Sequence, residues 1–150
     1  MIEWQWLAFE DIPRNDWYEV LLQRQQVFIL EQTCLYPDID GADPLCHHLM
    51  GWRESNGKRS LVAYLRCVPP GVKFDEMSLG RVLTTQEGRG GGIGRELVAR
   101  SIPLAEQLYP GHRFRIGAQA HLEKFYASFG FQTVTEPYDE DGIMHVDMVR

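Results

Sequence analysis

No stretch of this chain is apolar for long enough to span a bilayer as a helix, which takes about 20 residues. No basic segment precedes a short apolar one near the start, where Glu3 falls early, so no secretory leader is expected. Cysteine is scarce. Cys34, Cys46 and Cys67 form an odd set without a Cys-x-x-Cys pair, which fits reduced thiols and a cytoplasmic location better than a disulfide scaffold. An excess of positive charge is missing as well: 15 Lys and Arg against 21 Asp and Glu leave a formal net charge of −6. That sign argues against broad nucleic-acid binding, and any phosphate site must be locally positive. Internal repeats and low-complexity tracts are absent too. What is present is ordinary for a globular protein: 150 residues, 44% hydrophobic and 24% charged, enough for one domain over 1–150 with a single core.

Apolar periodicity lays out the elements. Residues 2–9 read as a strand and 16–30 as a helix, with Trp17, Val20, Leu21, Arg24, Val27 and Phe28 on one face. The stretch 33–45 is rich in Pro, Asp and Gly and reads as a long loop, of the kind that often borders a site. Strands are expected over 47–53 and 60–68, joined by Asn56-Gly57, a strong hairpin signal. A further strand covers 76–84, a helix 92–108, a strand 114–119 and a helix 122–129 closed by Gly130. A final strand pair, 131–136 and 143–149, has Asp141-Gly142 near its turn. Pro103 falls inside the second long helix, where a kink or restart is expected. This order predicts an α/β (α+β) fold: a mixed, mostly antiparallel sheet of six or seven strands with helices on both faces. Trp4, Trp6, Trp17 and Trp52 read as core or interface residues.

The segment Arg89-Gly90-Gly91-Gly92-Ile93-Gly94 follows an apolar strand and opens a helix. Unpaired N–H groups and the helix dipole make such a start suitable for an anion, and glycines allow close backbone approach. The dinucleotide fingerprint fails here in every frame, because its sixth position falls on Ile93, Arg95 or Leu97. The P-loop fails because no glycine in the run precedes a lysine. A glycine-rich loop without a ligand is the plainer alternative, and the strand–loop–helix context speaks against it.

The remaining pattern, Arg-x-x-Gly-x-Gly, resembles the pyrophosphate loop of the GNAT N-acetyltransferases. Ala118-Gln119 followed by Phe125-Tyr126-Ala127-Ser128-Phe129-Gly130-Phe131 resembles their second signature. Arg24 to Gln32, then Asp38-Ile39-Asp40-Gly41 and His48-Leu49, is similar to the ElaA-like branch. The resemblance implies the GNAT fold and an acetyl-CoA-dependent transfer to an amine by direct attack. In that reading Arg89, Gly90, Gly91, Gly92, Ile93, Gly94 and Arg95, with Lys124, hold the coenzyme A diphosphate. Val82, Leu83 and Thr84 offer a strand edge to the pantetheine amides, which the family exposes by a bulge and a divergence from the next strand. Gln119 stands where many members have Asn. A backbone N–H near Leu83 or Thr84 is the expected oxyanion donor.

Acetyl transfer needs a neutral amine and a proton for the departing thiolate. Tyr126 fills the acid role by resemblance; the alternative is a core tyrosine in the stripe Leu122-Phe125-Tyr126-Phe129. Glu76, Glu31, His47 and His48 are candidate bases, and a base acting through water, or none, stays open. Arg24, Glu31, His48 and Glu76 are the candidate substrate-binding residues, with an Arg24–Glu31 salt bridge as the structural alternative. Cys46-His47-His48 with Asp38, Asp40 and Asp43 is discounted as a metal site, since adjacent histidines on a strand point to opposite faces. The expected partners are acetyl-CoA and an amine of open identity, with neither nucleic acid nor membrane; a homodimer stays open. The alternative to an enzyme is an acyl-CoA-binding sensor or interaction module.

Overall fold

Alternating side chains and a two-residue turn build the first half of the protein. The computed structural model describes residues 1–150. In it β1 (Ile2–Ala8), β2 (His47–Ser55), β3 (Lys58–Val68) and β4 (Ser78–Thr84) form an antiparallel sheet in that order. Asn56 and Gly57 both take positive φ, 54° and 75°, and set Ser55 opposite Lys58, the turn whose twist matches that of its strands. The second half is built on β5 (Arg115–Gln119), which pairs antiparallel with the last strand, β8 (Ile143–Val149). The short strands β6 (Gln132–Thr133) and β7 (Tyr138–Glu140) also pair with β8. The single strand expected over 131–136 is thus cut down to β6. The hydroxyl of Thr135, not a backbone carbonyl, accepts the N–H of Asp147 at 2.9 Å, and Phe131 turns into the core.

Helices cover both faces. α1 (Arg14–Arg24) continues as a π-helical segment (Gln25–Glu31) on one side; α2 (Ile93–Leu108) and α3 (Glu123–Ala127) lie on the other. Val20, Val27 and Phe28 pack on Met50, Trp52, Leu61, Tyr64 and Leu83. On the opposite face Leu97, Val98, Ile102 and Ala105 of α2 pack on Leu49, Ala63, Leu65, Ile116 and Val146. The register of β2 on β3 slips at Gly51 and Trp52, so that Ala63 and Leu61 stand opposite them in turn. The extra residue, Val62, moves Leu61 onto the α1 face. α2 runs unbroken through Pro103, against the expected kink or restart. Pro103 and Ala99, whose carbonyl the ring deprives of its donor, are both exposed, so water can take the freed bond.

The two half-sheets meet at one point. Met77 N–H donates to Arg113 O at 3.1 Å and Arg115 N–H to Met77 O at 2.9 Å, a parallel bridge between Met77 and Phe114. Beyond it β4 and β5 share no pairing and separate.

Candidate functional site

The separation leaves a cleft of about 300 Å3. Val82, Leu83 and Thr84 line one wall and Ile116 to Gln119 the other; Tyr126 of α3 and Arg89 also reach it. The wall on β4 is bulged. Arg66 faces Gly80 and Tyr64 faces Leu83, so Arg81 and Val82 together oppose Leu65. Arg81 sits at φ 51°, a left-handed conformation that a side chain adopts at a cost. Its guanidinium repays this by donating to Asp38 Oδ1 at 2.7 Å and to Asp38 O at 2.9 Å.

The open edge of β4 follows from its hydrogen bonds. Thr85 N–H donates to Val62 O at 3.0 Å, toward β3, while Thr84 O accepts from Arg89 at 3.3 Å on the other side. In a strand the N–H and C=O of one residue point the same way and alternate from residue to residue. The Thr84 N–H therefore faces the cleft, with the N–H of Leu83 turned to β3.

Beside that edge the chain makes its glycine turn. Gly90, Gly91 and Gly92 take φ of 92°, 67° and 75° in succession, which other residues adopt only under strain. A Cβ on any of the three would meet nothing within 4 Å; backbone conformation, not crowding, demands glycine there. Gly88 is the opposite case, since a Cβ would lie 2.4 Å from Val62 O. No side chain caps α2, and Glu96 is its first residue whose N–H finds a backbone partner, Gly92 O at 3.0 Å. The free amides before it stand next to the end of β4, because a Cβ on Gly94 would be 3.7 Å from Thr84 Cγ2. Arg89 donates to Glu31 Oε1 at 2.6 Å. Arg95 donates to Ser128 Oγ at 3.0 Å and lies over Phe129. Lys124 is exposed on α3 without an ion pair. The arrangement suits a ligand with a diphosphate and an amide-bearing arm.

Tyr126 is buried, with its ring edge-on to Phe125 and Phe131. Tyr126 lines the cleft, its hydroxyl makes no hydrogen bond inside the protein and is not sealed from solvent, and burial pushes its pKa up to about 12. The phenol stays protonated at neutral pH. Gln119 Nε2 donates at 3.3 Å to Oε1 of Gln32, the residue that follows the Glu31 bound by Arg89.

The other candidates separate. Glu31 pairs with Arg89, not with Arg24. The seven-residue spacing returns to the same face only in an α-helix, and the i→i+5 bonding of residues 25–31 advances more slowly around the axis. Arg24 is fully buried, bound to Asp38 at 3.0 Å and Asp43 at 2.8 Å. His48 is equally buried: Nε2 donates to Asp43 O at 3.0 Å, and Nδ1 accepts from the Tyr64 hydroxyl at 2.7 Å. With both nitrogens taken it offers no base to the cleft, and His47 points to the other face, against Trp6. Glu76 precedes β4 next to Met77, at the closed end of the cleft. The arginine–aspartate network had a sequence signal only in the Asp-rich loop; Arg81 and the cleft residue His145 had none beyond strand alternation.

Residues 55–150 match the family model for the acetyltransferase (GNAT) domain. Protein ElaA of Escherichia coli is 39% identical over 100% of this chain and 97% of its own length. A UPF0039 protein of Synechocystis is 45% identical over 99% of this chain and 94% of its own. The crystal structure of E. coli ElaA superposes with a TM-score of 0.90, covering 100% of this chain and 99% of that one. That of an acyl-CoA N-acyltransferase from Pseudomonas aeruginosa, 36% identical with the same coverage, gives 0.91. Fold, splayed cleft and relatives agree: the chain belongs to the GNAT acetyltransferase family, in its ElaA-like branch, and is an acyl-CoA-dependent acyltransferase.

Proposed function

We propose that the chain, as one domain, transfers an acetyl group from acetyl-CoA to a primary amine by direct attack. The observation that carries this reading is the run of three left-handed glycines leading unpartnered amides to the open edge of β4. Those amides and the N-terminal dipole of α2 suit a diphosphate. Arg89 would exchange Glu31 for phosphate oxygens, with Arg95 and Lys124 nearby. The free edge at Val82 and Thr84 would take the pantetheine amides, and the Thr84 N–H the developing oxyanion. Gln119 would bond the arm from the opposite wall. Tyr126, protonated and unpartnered, would donate to the departing sulfur. No cysteine serves as an acyl carrier in this scheme: Cys46 and Cys67 are buried, and burial pushes their pKa values up to about 11 and about 12, away from the reactive thiolate, while Cys34, which borders the cleft, is buried with its thiol donating to Asp141 O at 3.2 Å.

Calorimetry of acetyl-CoA against the protein and its Arg89→Glu variant tests the loop, and release of free thiol with a panel of amines tests the reaction. The expected result is saturable binding, weakened by the charge reversal, and turnover of at least one amine. Equal affinity in both proteins removes the loop assignment. Tight binding with no thiol release on any amine makes the protein a sensor instead.

A further inference from the structure

The far side of the cleft carries a pair of groups that the scheme above does not use. His145 of β8 lies opposite Gln119 of β5, and both line the cleft with Tyr126. His145 Nδ1 is 2.7 Å from the carbonyl oxygen of Ile143. A carbonyl only accepts, so in the neutral ring it is Nδ1 that carries the proton and Nε2 that is left with the lone pair. That nitrogen stands 3.6 Å from Glu140 Oε2, a gap wider than a hydrogen bond.

The surroundings fix the ring. Glu140 and His145 belong to opposite strands of the β7–β8 hairpin, closed by Asp141 and Gly142 at φ 54° and 84°. Tyr138 stacks on the imidazole with centroids 6.0 Å apart, and its hydroxyl donates to Asp147 at 2.5 Å. Gly117 makes room for that hydroxyl, which lies 3.2 Å from where a Cβ would stand. Asp147, two residues along β8, is already paired with Arg115 at 2.8 Å. Lys73 and Arg81 face the cleft from the β3–β4 loop and from β4, and Arg81 is bound to Asp38. The carboxylate next to Nε2 is therefore that of Glu140.

We propose that Glu140 and His145 receive the ammonium group of the acceptor: the carboxylate anchors it, and Nε2 of the imidazole takes its proton. This rests on the amine-acetylation reading above. An alkylammonium has three N–H donors and can bond both groups across the gap between them. Proton transfer leaves an imidazolium beside Glu140 and a neutral amine. The amine lone pair forms a C–N bond to the thioester carbonyl carbon as the C–S bond breaks. Its second proton ends on the departing sulfur by way of Tyr126, and the imidazolium releases the first to solvent. Ammonium and thioester thus become amide, thiol and one proton. Glu140 is a positioning residue and His145 the proton acceptor.

Steady-state kinetics with benzylamine, spermidine and a peptide with a free N-terminus, run across pH for the native protein, His145→Gln and Glu140→Gln, test the pair. His145→Gln should lower kcat/KM for the amine about 100-fold and leave the KM for acetyl-CoA unchanged. It should recover with aminoacetonitrile, which is already neutral at assay pH. Glu140→Gln should raise the amine KM more than it lowers kcat. Unchanged amine kinetics in His145→Gln, with acetyl-CoA still bound by calorimetry, overturns the pair alone. No acetyl-CoA binding by the native protein overturns the acetylation reading and the pair with it. Nitrogen NMR of the imidazole adds a readout free of the acceptor: a proton on Nε2 instead of Nδ1 at neutral pH also overturns the proposal.

Discussion

Tyr126 and His48 show how burial decides what a side chain can do. Both are buried, but His48 has each ring nitrogen satisfied, while the Tyr126 hydroxyl has no partner in the protein and is not sealed from solvent. If the phenol protonates the leaving thiolate, Tyr126→Phe should lower kcat by about 100-fold. The acetyl-CoA affinity should stay near normal, since the ring packing on Phe125 and Phe131 survives. Stopped-flow turnover alongside calorimetry checks this, and an unchanged kcat returns Tyr126 to the core stripe. His48 has a different signature. Burial lowers its pKa to about 4, against about 6.5 in an unfolded chain. Between those values the unfolded state binds a proton that the native state refuses, so stability rises with pH across the window and is lost as pH falls from about 6.5 to about 4. The difference corresponds to roughly 3 kcal/mol. Asp40, held below the usual carboxylate range by its hydrogen bonds to Arg66, loses its contribution only at lower pH. Urea unfolding between pH 7 and 4 should show this limb in the native protein and not in His48→Gln. Neither property was legible in the sequence, where Tyr126 could be placed in its pattern and His48 only as a candidate base or substrate-binding residue; the Tyr64 hydroxyl and Asp43 carbonyl that occupy the His48 ring come from other segments.

At the scale of elements, what could be read was what depends on neighbours in sequence. Strand alternation placed β1 to β3, Asn56-Gly57 placed a hairpin, and helical spacing placed the buried face of α2. Departures from regular geometry could not be read that way. The π-helical turns after Arg24 carry Glu31 to Arg89, and the two-for-one count at Arg81 and Val82 opens the edge of β4. Both are set by tertiary partners, the first by the cleft mouth and the second by Asp38. Gly88 belongs with them. Composition alone made it one more glycine of the loop, but its α-carbon lies against the backbone of Val62 and so holds the loop to β3. Gly88→Ala should destabilise the fold by about 1–3 kcal/mol, the usual cost of overpacking, and displace the loop. Gly94→Ala should be mild in stability, because its Cβ would meet Thr84 at ordinary contact distance. Thermal unfolding of the two variants side by side checks the contrast, and equal stabilities would mean that the Val62 backbone yields easily.

The whole molecule is two half-sheets joined by a single parallel bridge and by shared packing under α2. A long ligand lying in the cleft would bond both walls and the helix start at once, so its binding should be felt as stability of the entire fold and not of one loop. The charge distribution fits this economy: against a net charge of −6, exposed Arg89 and Arg95 flank the glycine turn and Lys124 is exposed on α3. At about 100 times its dissociation constant, a ligand confined to the native state adds about 2.7 kcal/mol. For a chain of this size that raises the Tm by about 5–10 °C. Acetyl-CoA and coenzyme A should both give such a shift, and ATP or NAD a much smaller one at equal concentration, because neither has the pantetheine arm that the open edge of β4 suits. High salt should erode the shift by screening the exposed cations around the diphosphate. A shift of equal size with ATP would mean that the glycine turn alone provides the affinity and that the strand edge contributes nothing.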